Sequence, residues 1–175
     1  MSMLSNLLIM RLAILQAVVI SAVIYGVSTG YVQELVWSDK TGLPFLMIGI
    51  ATLAVISGHI RAFKVSKGLN IVKAGGSFDT SKLSIKNGHL MFLAVCVMVL
   101  SLIGNSEGFR DGLDGAQEII NSDPDWALKI LGKMAEGIVA AMSNVIIGLW
   151  LYLWVLSTSQ ILHTATRLLE VDANK

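Results

Sequence analysis

Charge is nearly absent from four long stretches of this chain and crowded into the segments between them. Leu12 to Val27, Leu43 to Phe63, His89 to Ser106 and Gly137 to Leu162 are apolar, and only His59 and Arg61 interrupt the second. Each approaches or exceeds the roughly 20 residues that carry a helix across about 30 Å of hydrocarbon. Hydrophobic residues are 54% of the chain, charged ones 14%, and mean hydropathy is +0.71, values that exclude an ordinary soluble domain. The pattern predicts one all-α membrane domain with four transmembrane helices. Their bounds are read as about 8–28, 43–63, 88–106 and 133–160, with loops at about 64–87 and 107–132 and a helical extension of the last span to about 170.

The loops give an orientation. Arg61, Lys64, Lys67, Lys73, Lys82 and Lys86 lie around the second loop against the single acid Asp79, whereas the third carries Glu107, Asp111, Asp114, Glu118, Asp123 and Asp125 beside Arg110, Lys129 and Lys133. Short loops rich in Lys and Arg stay in the cytoplasm, which places the second loop and both termini inside. The basic loop is too short for a catalytic domain, and its charge fits topology and anionic lipid rather than nucleic acid. A cleaved signal peptide is the rival reading of the N-terminus, but Leu7 to Met10 precede Arg11 and no small-x-small site follows. Cys96 has no second cysteine to pair with and reads as a small buried apolar residue.

Helix punctuation agrees with this layout. Asp39 to Gly42 form a turn before Pro44, which suits a first helical turn. Ser122-Asp123-Pro124-Asp125 suits the start of a long fourth helix, about 70 Å if unbroken to Glu170. Ile161, Leu162, Ala165, Leu168 and Leu169 then form an apolar stripe for a neighbouring helix or subunit. Trp150, Tyr152 and Trp154 read as an aromatic belt near the cytoplasmic boundary, His59 as an interfacial side chain, and Glu136 as complementing a helix N-terminus. His89 and His163 have no partners at metal-ligand spacing, so neither a metal nor another cofactor is expected. Phosphate loops, nucleophile elbows and paired intramembrane carboxylates are lacking, so the chain does not read as an enzyme.

The polar pair Ser143-Asn144, bracketed by Gly137 and Gly148, is the feature most in need of an explanation. Polar groups deep in a membrane helix face other helices or water. Ser101 and Ser143 can bond to a carbonyl one turn back, whereas the Asn144 amide needs several partners. With Ala140 and Ala141, the glycines permit close helix packing.

The stretch Leu100-Ser101-Leu102-Ile103-Gly104, followed by Glu107-Gly108-Phe109, resembles the Gly-Thr-x-x-Gly segment in helix three of the MotA/TolQ/ExbB proton-channel family. Gly137 to Leu149 is similar to that family's fourth helix, with Gly, small residues, a Thr-Thr pair and Gly-Leu at matching spacing. Ser38 to Leu43 and Arg61-Ala62-Phe63 resemble the entry to and exit from helix two in its small members. The likeness covers about residues 36 to 165.

This resemblance implies a ring-shaped homo-oligomer, a pentamer, with long third and fourth helices around two copies of a single-span partner of the MotB/TolR/ExbD kind. An intramembrane Asp on that partner carries the ion. The chain would then be the channel-forming, stator-like subunit of a proton-driven motor in the bacterial inner membrane. The family's hydroxyl positions fall on Ser101, Asn144 and Val145, so one of them becomes apolar. With Ser143 these residues are the expected pore lining, and Gly104, Gly137, Ala141 and Gly148 the expected packing positions. Counting residues at 1.5 Å each puts Ser101 and Asn144 at similar depth, somewhat outward of mid-membrane. A non-conducting scaffold is the alternative, and a holin-like pore former fits the length but not the long fourth helix.

Overall fold

The computed structural model of the chain describes residues 3–78, 81–120 and 126–173. Five helices follow one another: α1 (Met3–Ser28), α2 (Tyr31–Trp37), α3 (Leu43–Lys73), α4 (Ser81–Ile120) and α5 (Trp126–Ala173). No strand occurs among the described residues. All but α2 contain a segment long and apolar enough to cross a membrane. A helix satisfies its backbone hydrogen bonds internally, as hydrocarbon requires.

The helices run well past the apolar stretches. Segments 64–87 and 107–132, expected as loops, are helical over 64–73, 81–87, 107–120 and 126–132. The Lys, Arg, Glu and Gln residues there are good helix formers, and neighbouring helices supply packing that offsets the Gly, Asn and Asp among them. The first loop also holds a helix, α2, between Gly30 (φ 79°) and a turn that ends at Gly42 (φ 75°). Pro44 sits in the first turn of α3, where the proline's missing N–H costs nothing. The cap expected at Ser122 to Asp125 lies outside the described residues.

Two ends of the bundle can be told apart. Leu8 and Arg11 of α1, Leu69 of α3 and Ala165 of α5 line one small groove, so the start of α1 and the end of α5 share the basic end. There Arg61 Nη1 donates to the backbone carbonyl of Lys86, joining α3 to α4. Leu43 and Gly104 each lie about five helical turns, roughly 27 Å, from that contact, so the start of α3 is level with Gly104. Beyond this level α4 and α5 continue alone as an acidic hairpin of about 24 Å.

What holds α4 to α5 is a row of glycines. A Cβ on Gly104 would stand 2.7 Å from Asn144 Cγ, and one on Gly108 2.7 Å from the Ala141 backbone nitrogen. One on Gly137 would lie 2.6 Å from Gly112 Cα, and one on Gly148 would fall on the Ser101 side chain. The partners Ser101–Gly148, Gly104–Asn144, Gly108–Ala141 and Gly112–Gly137 step antiparallel at three- and four-residue intervals, the repeat of a supercoiled pair. α3 closes on this pair through Met47, Ala51, Ala54, Val65 and Leu69, all buried, with Gly58 admitting the Thr158 methyl and Leu90.

The stripe on α5 meets neighbouring helices of the chain itself: Leu162, Ala165 and Leu169 are buried in its core, while Leu168 stays exposed. Trp150, Tyr152 and Trp154 lie between the level of Asn144 and the basic end rather than at a boundary, and Trp154 Nε1 donates to Gln16 Oε1 of α1 at 2.9 Å. The exposed aromatic pair is instead Trp37 and Phe45, edge to face at 5.9 Å, at the level where α3 begins.

Gly108→Val should therefore destabilise the protein by about 2–3 kcal/mol in a detergent unfolding titration, because the new side chain meets backbone. Gly49→Ala, where a Cβ meets nothing within 4 Å, should be neutral or gain up to about 1 kcal/mol from helix propensity.

Candidate functional site

At the level where α3 begins, three segments far apart in sequence bring polar side chains together. Asn144 is fully buried, and its Nδ2 donates to Asp39 Oδ1 at 3.1 Å and to the Ala140 carbonyl at 3.3 Å. Two acceptors on one side fix the orientation of the amide. Its Oδ1 is buried and has no donor among the described residues. Such an atom forgoes about 1–3 kcal/mol of solvation.

Asp39 is 8% exposed. Its other oxygen, Oδ2, accepts from Thr41 Oγ1 at 2.6 Å, and Thr41 Oγ1 in turn accepts from the Leu43 backbone N–H at 3.2 Å. The turn before α3 is thus folded around the carboxylate, and the same hydroxyl satisfies the first N–H of the helix. Lys40 and Thr41 are exposed on the surface above it.

The expected pore residues take different places. Ser101 is buried at 1% exposure and donates to the Asn144 backbone carbonyl at 3.0 Å, a bond between α4 and α5 rather than along its own helix. Ser143 is also buried but bonds one turn back, to Val139 O at 2.8 Å. Ser101, Ser143 and Asn144 therefore do not lie on a free surface. Close approach at Gly104 and Gly148 draws Asn144 and Ser101 into the seam. Val145 is half-buried. Asn105 is half-buried too, and it follows Gly104 as Val145 follows Asn144. In an antiparallel pair these two positions fall on the same flank.

Asp39 is four residues from Leu43, so Asn144 lies near the end of the α3 span instead of close to its middle. Gly104, Gly137, Ala141 and Gly148 all stand in the seam described above. Glu136 is exposed and pairs with Lys133 at 2.7 Å well inside α5, away from the helix N-terminus. His59 Nδ1 bonds to Val55 O of its own helix at 2.8 Å. Among the described residues no cluster of His, Cys, Asp or Glu is suited to a metal.

Asp39 and Asn105 are the two residues that sequence reasoning missed. Asp39 reads as a turn former because Asp-x-Thr-Gly before a proline is ordinary turn chemistry. Only the fold shows that this turn sits on the α5 seam. Asn105 falls at the end of an apolar stretch, where an interfacial position is the ready explanation.

No family model, characterised protein or solved structure matches the chain.

In a double-mutant cycle, Asp39→Ala and Asn144→Ala should couple by about 1–2 kcal/mol in detergent unfolding. Additive effects would mean that the contact carries no energy. Ser101→Ala should cost about 1 kcal/mol.

Proposed function

We propose that the protein is a channel-forming, stator-like subunit of an ion-driven membrane complex. It would sit as a homo-oligomer in the bacterial inner membrane, basic end and both termini in the cytoplasm, around a single-span partner that carries an intramembrane Asp. The observation that carries this reading is the buried Asp39–Asn144 pair. A carboxylate enclosed within a membrane domain is expensive to keep and marks an ion or proton site by default. Its position at the mouth of the span, below the acidic hairpin of Glu107, Asp111 and Asp114, suits uptake from outside. The likeness to the MotA/TolQ/ExbB family supports the same role.

In this mechanism the sealed seam is the wall of the path and Asn105 with Val145 its surface. The Asp39 charge draws the cation to the mouth of the path, and Asn144 holds the carboxylate through its N–H group. The proton then passes along the flank of Asn105 to the partner Asp. Neutralising that Asp lowers its cost in the low-dielectric space and frees the partner to move relative to the ring.

A specific observation favours the scaffold alternative. The surface exposed by α4 and α5 around the seam is apolar, with Val99, Leu102, Ile103, Met142, Leu149 and Trp150 outward, which suits lipid or subunit packing without conduction.

Reconstituted with its partner, Asp39→Asn should lower ion flux about tenfold or more while assembly persists, because it keeps the hydrogen-bonding shape and removes the charge. Val145→Thr should raise flux. An assembled wild-type complex that passes no ions would establish the scaffold instead.

A further inference from the structure

At the basic end, α3, α4 and Phe78 border an open cavity of about 580 Å³. Arg61, Lys64, Lys67 and Lys86 line it, and no acidic side chain does among the described residues. Arg61 is a half-buried residue whose guanidinium donates to the Lys86 carbonyl, which uses one of its five N–H donors and leaves the rest in a fixed fork. The linking segment turns at Gly75 (φ 81°) and returns Phe78 against Gly68, whose missing Cβ makes room for the ring. Phe78 thereby closes one side of the cavity.

We propose that this cavity binds the phosphate headgroup of an anionic phospholipid. Four cations with a planar guanidinium among them suit a phosphate diester. Depth selects a lipid over a free anion: Arg61 stands about 27 Å along α3 from Leu43, close to one hydrocarbon thickness, so the cavity opens at headgroup level. The floor leads on into apolar surface. Ile60 lines the cavity, Ile56 lies one turn deeper on the same face of α3, and Phe92 lies one turn deeper than the lining residue His89 on α4. Ile56, Ile60 and Phe92 are all exposed, a track for an acyl chain. Basic pockets between membrane helices are a known mode of headgroup recognition. The bound lipid would tie α3 to α4 where the link between them is otherwise short and polar.

The test is native mass spectrometry of the full chain released from mixed phosphatidylglycerol and phosphatidylcholine vesicles. Phosphatidylglycerol should be retained in preference, and the Lys64→Gln/Lys67→Gln pair should cut its retention about tenfold or more. Both lysines are exposed, so this variant keeps the fold even if Arg61→Gln does not. Lys129→Gln/Lys133→Gln, the same charge change at the opposite end, should leave retention unchanged. Equal retention of the two lipids, or equal loss in the control pair, would overturn the proposal. So would displacement of the lipid by millimolar inorganic phosphate, which would mark a site for the soluble anion. Ion flux plays no part in this readout, so the lipid site and the channel reading fail separately.

Discussion

The backbones of α4 and α5 approach each other more closely than any side chain but glycine allows, and the rest of the fold depends on that approach. In lipid, hydrophobic burial gives helices little reason to associate, so dispersion contacts and interhelical hydrogen bonds must do it. Gly104, Gly108, Gly112, Gly137 and Gly148 supply the contacts. The same closeness brings the Ser101 hydroxyl within 3.0 Å of the Asn144 carbonyl and leaves the Asn144 side chain the Gly104 notch to fill. Once it is there, the amide can turn only toward Ala140 and Asp39. Small residues thus determine where the polar ones go.

That order of causes explains what could be read from the sequence. The number of long helices follows from the spacing of charge, since apolar stretches of membrane length have few other folds available. Gly104, Gly137, Ala141 and Gly148 are legible as packing positions because small residues in membrane helices signal close contact, whereas Gly108 and Gly112 join them only in the fold. The direction of the polar side chains was not legible. Asn144 has one sequence position but two sides it could face, toward the seam or away, and only the pairing register of α4 with α5 decides between them. Asp39 lay further out of reach, because its contact with Asn144 spans 105 residues and nothing local distinguishes a turn over solvent from a turn over a seam. Helix ends were misjudged for a related reason: the stretches past Phe63 and Ser106 look like loops by charge, yet they lie against neighbours that keep them helical.

The fold also separates two kinds of polarity. At one end a carboxylate and an amide are enclosed, each with hydrogen-bonding partners on the chain. At the other, cations line an open cavity. Charges buried with partners are fixed in geometry, whereas charges around a cavity remain available to an outside ligand. The helices between are long enough to hold the two apart by nearly a membrane thickness, so events at one need not disturb the other.

α1 is bound far more lightly than its neighbours. It buries Leu8, Leu12 and Gly26, and its Gln16 Oε1 accepts a hydrogen bond from Trp154 Nε1. During synthesis α1 enters the bilayer before α3, α4 and α5, and Trp154 emerges 138 residues after Gln16. Until then α1 packs against α2 and α3, and its internal hydrogen bonds keep it helical in lipid. Insertion and packing of this protein are therefore separate events in time: α1 completes its contacts only when Trp154, far along the chain, is in place.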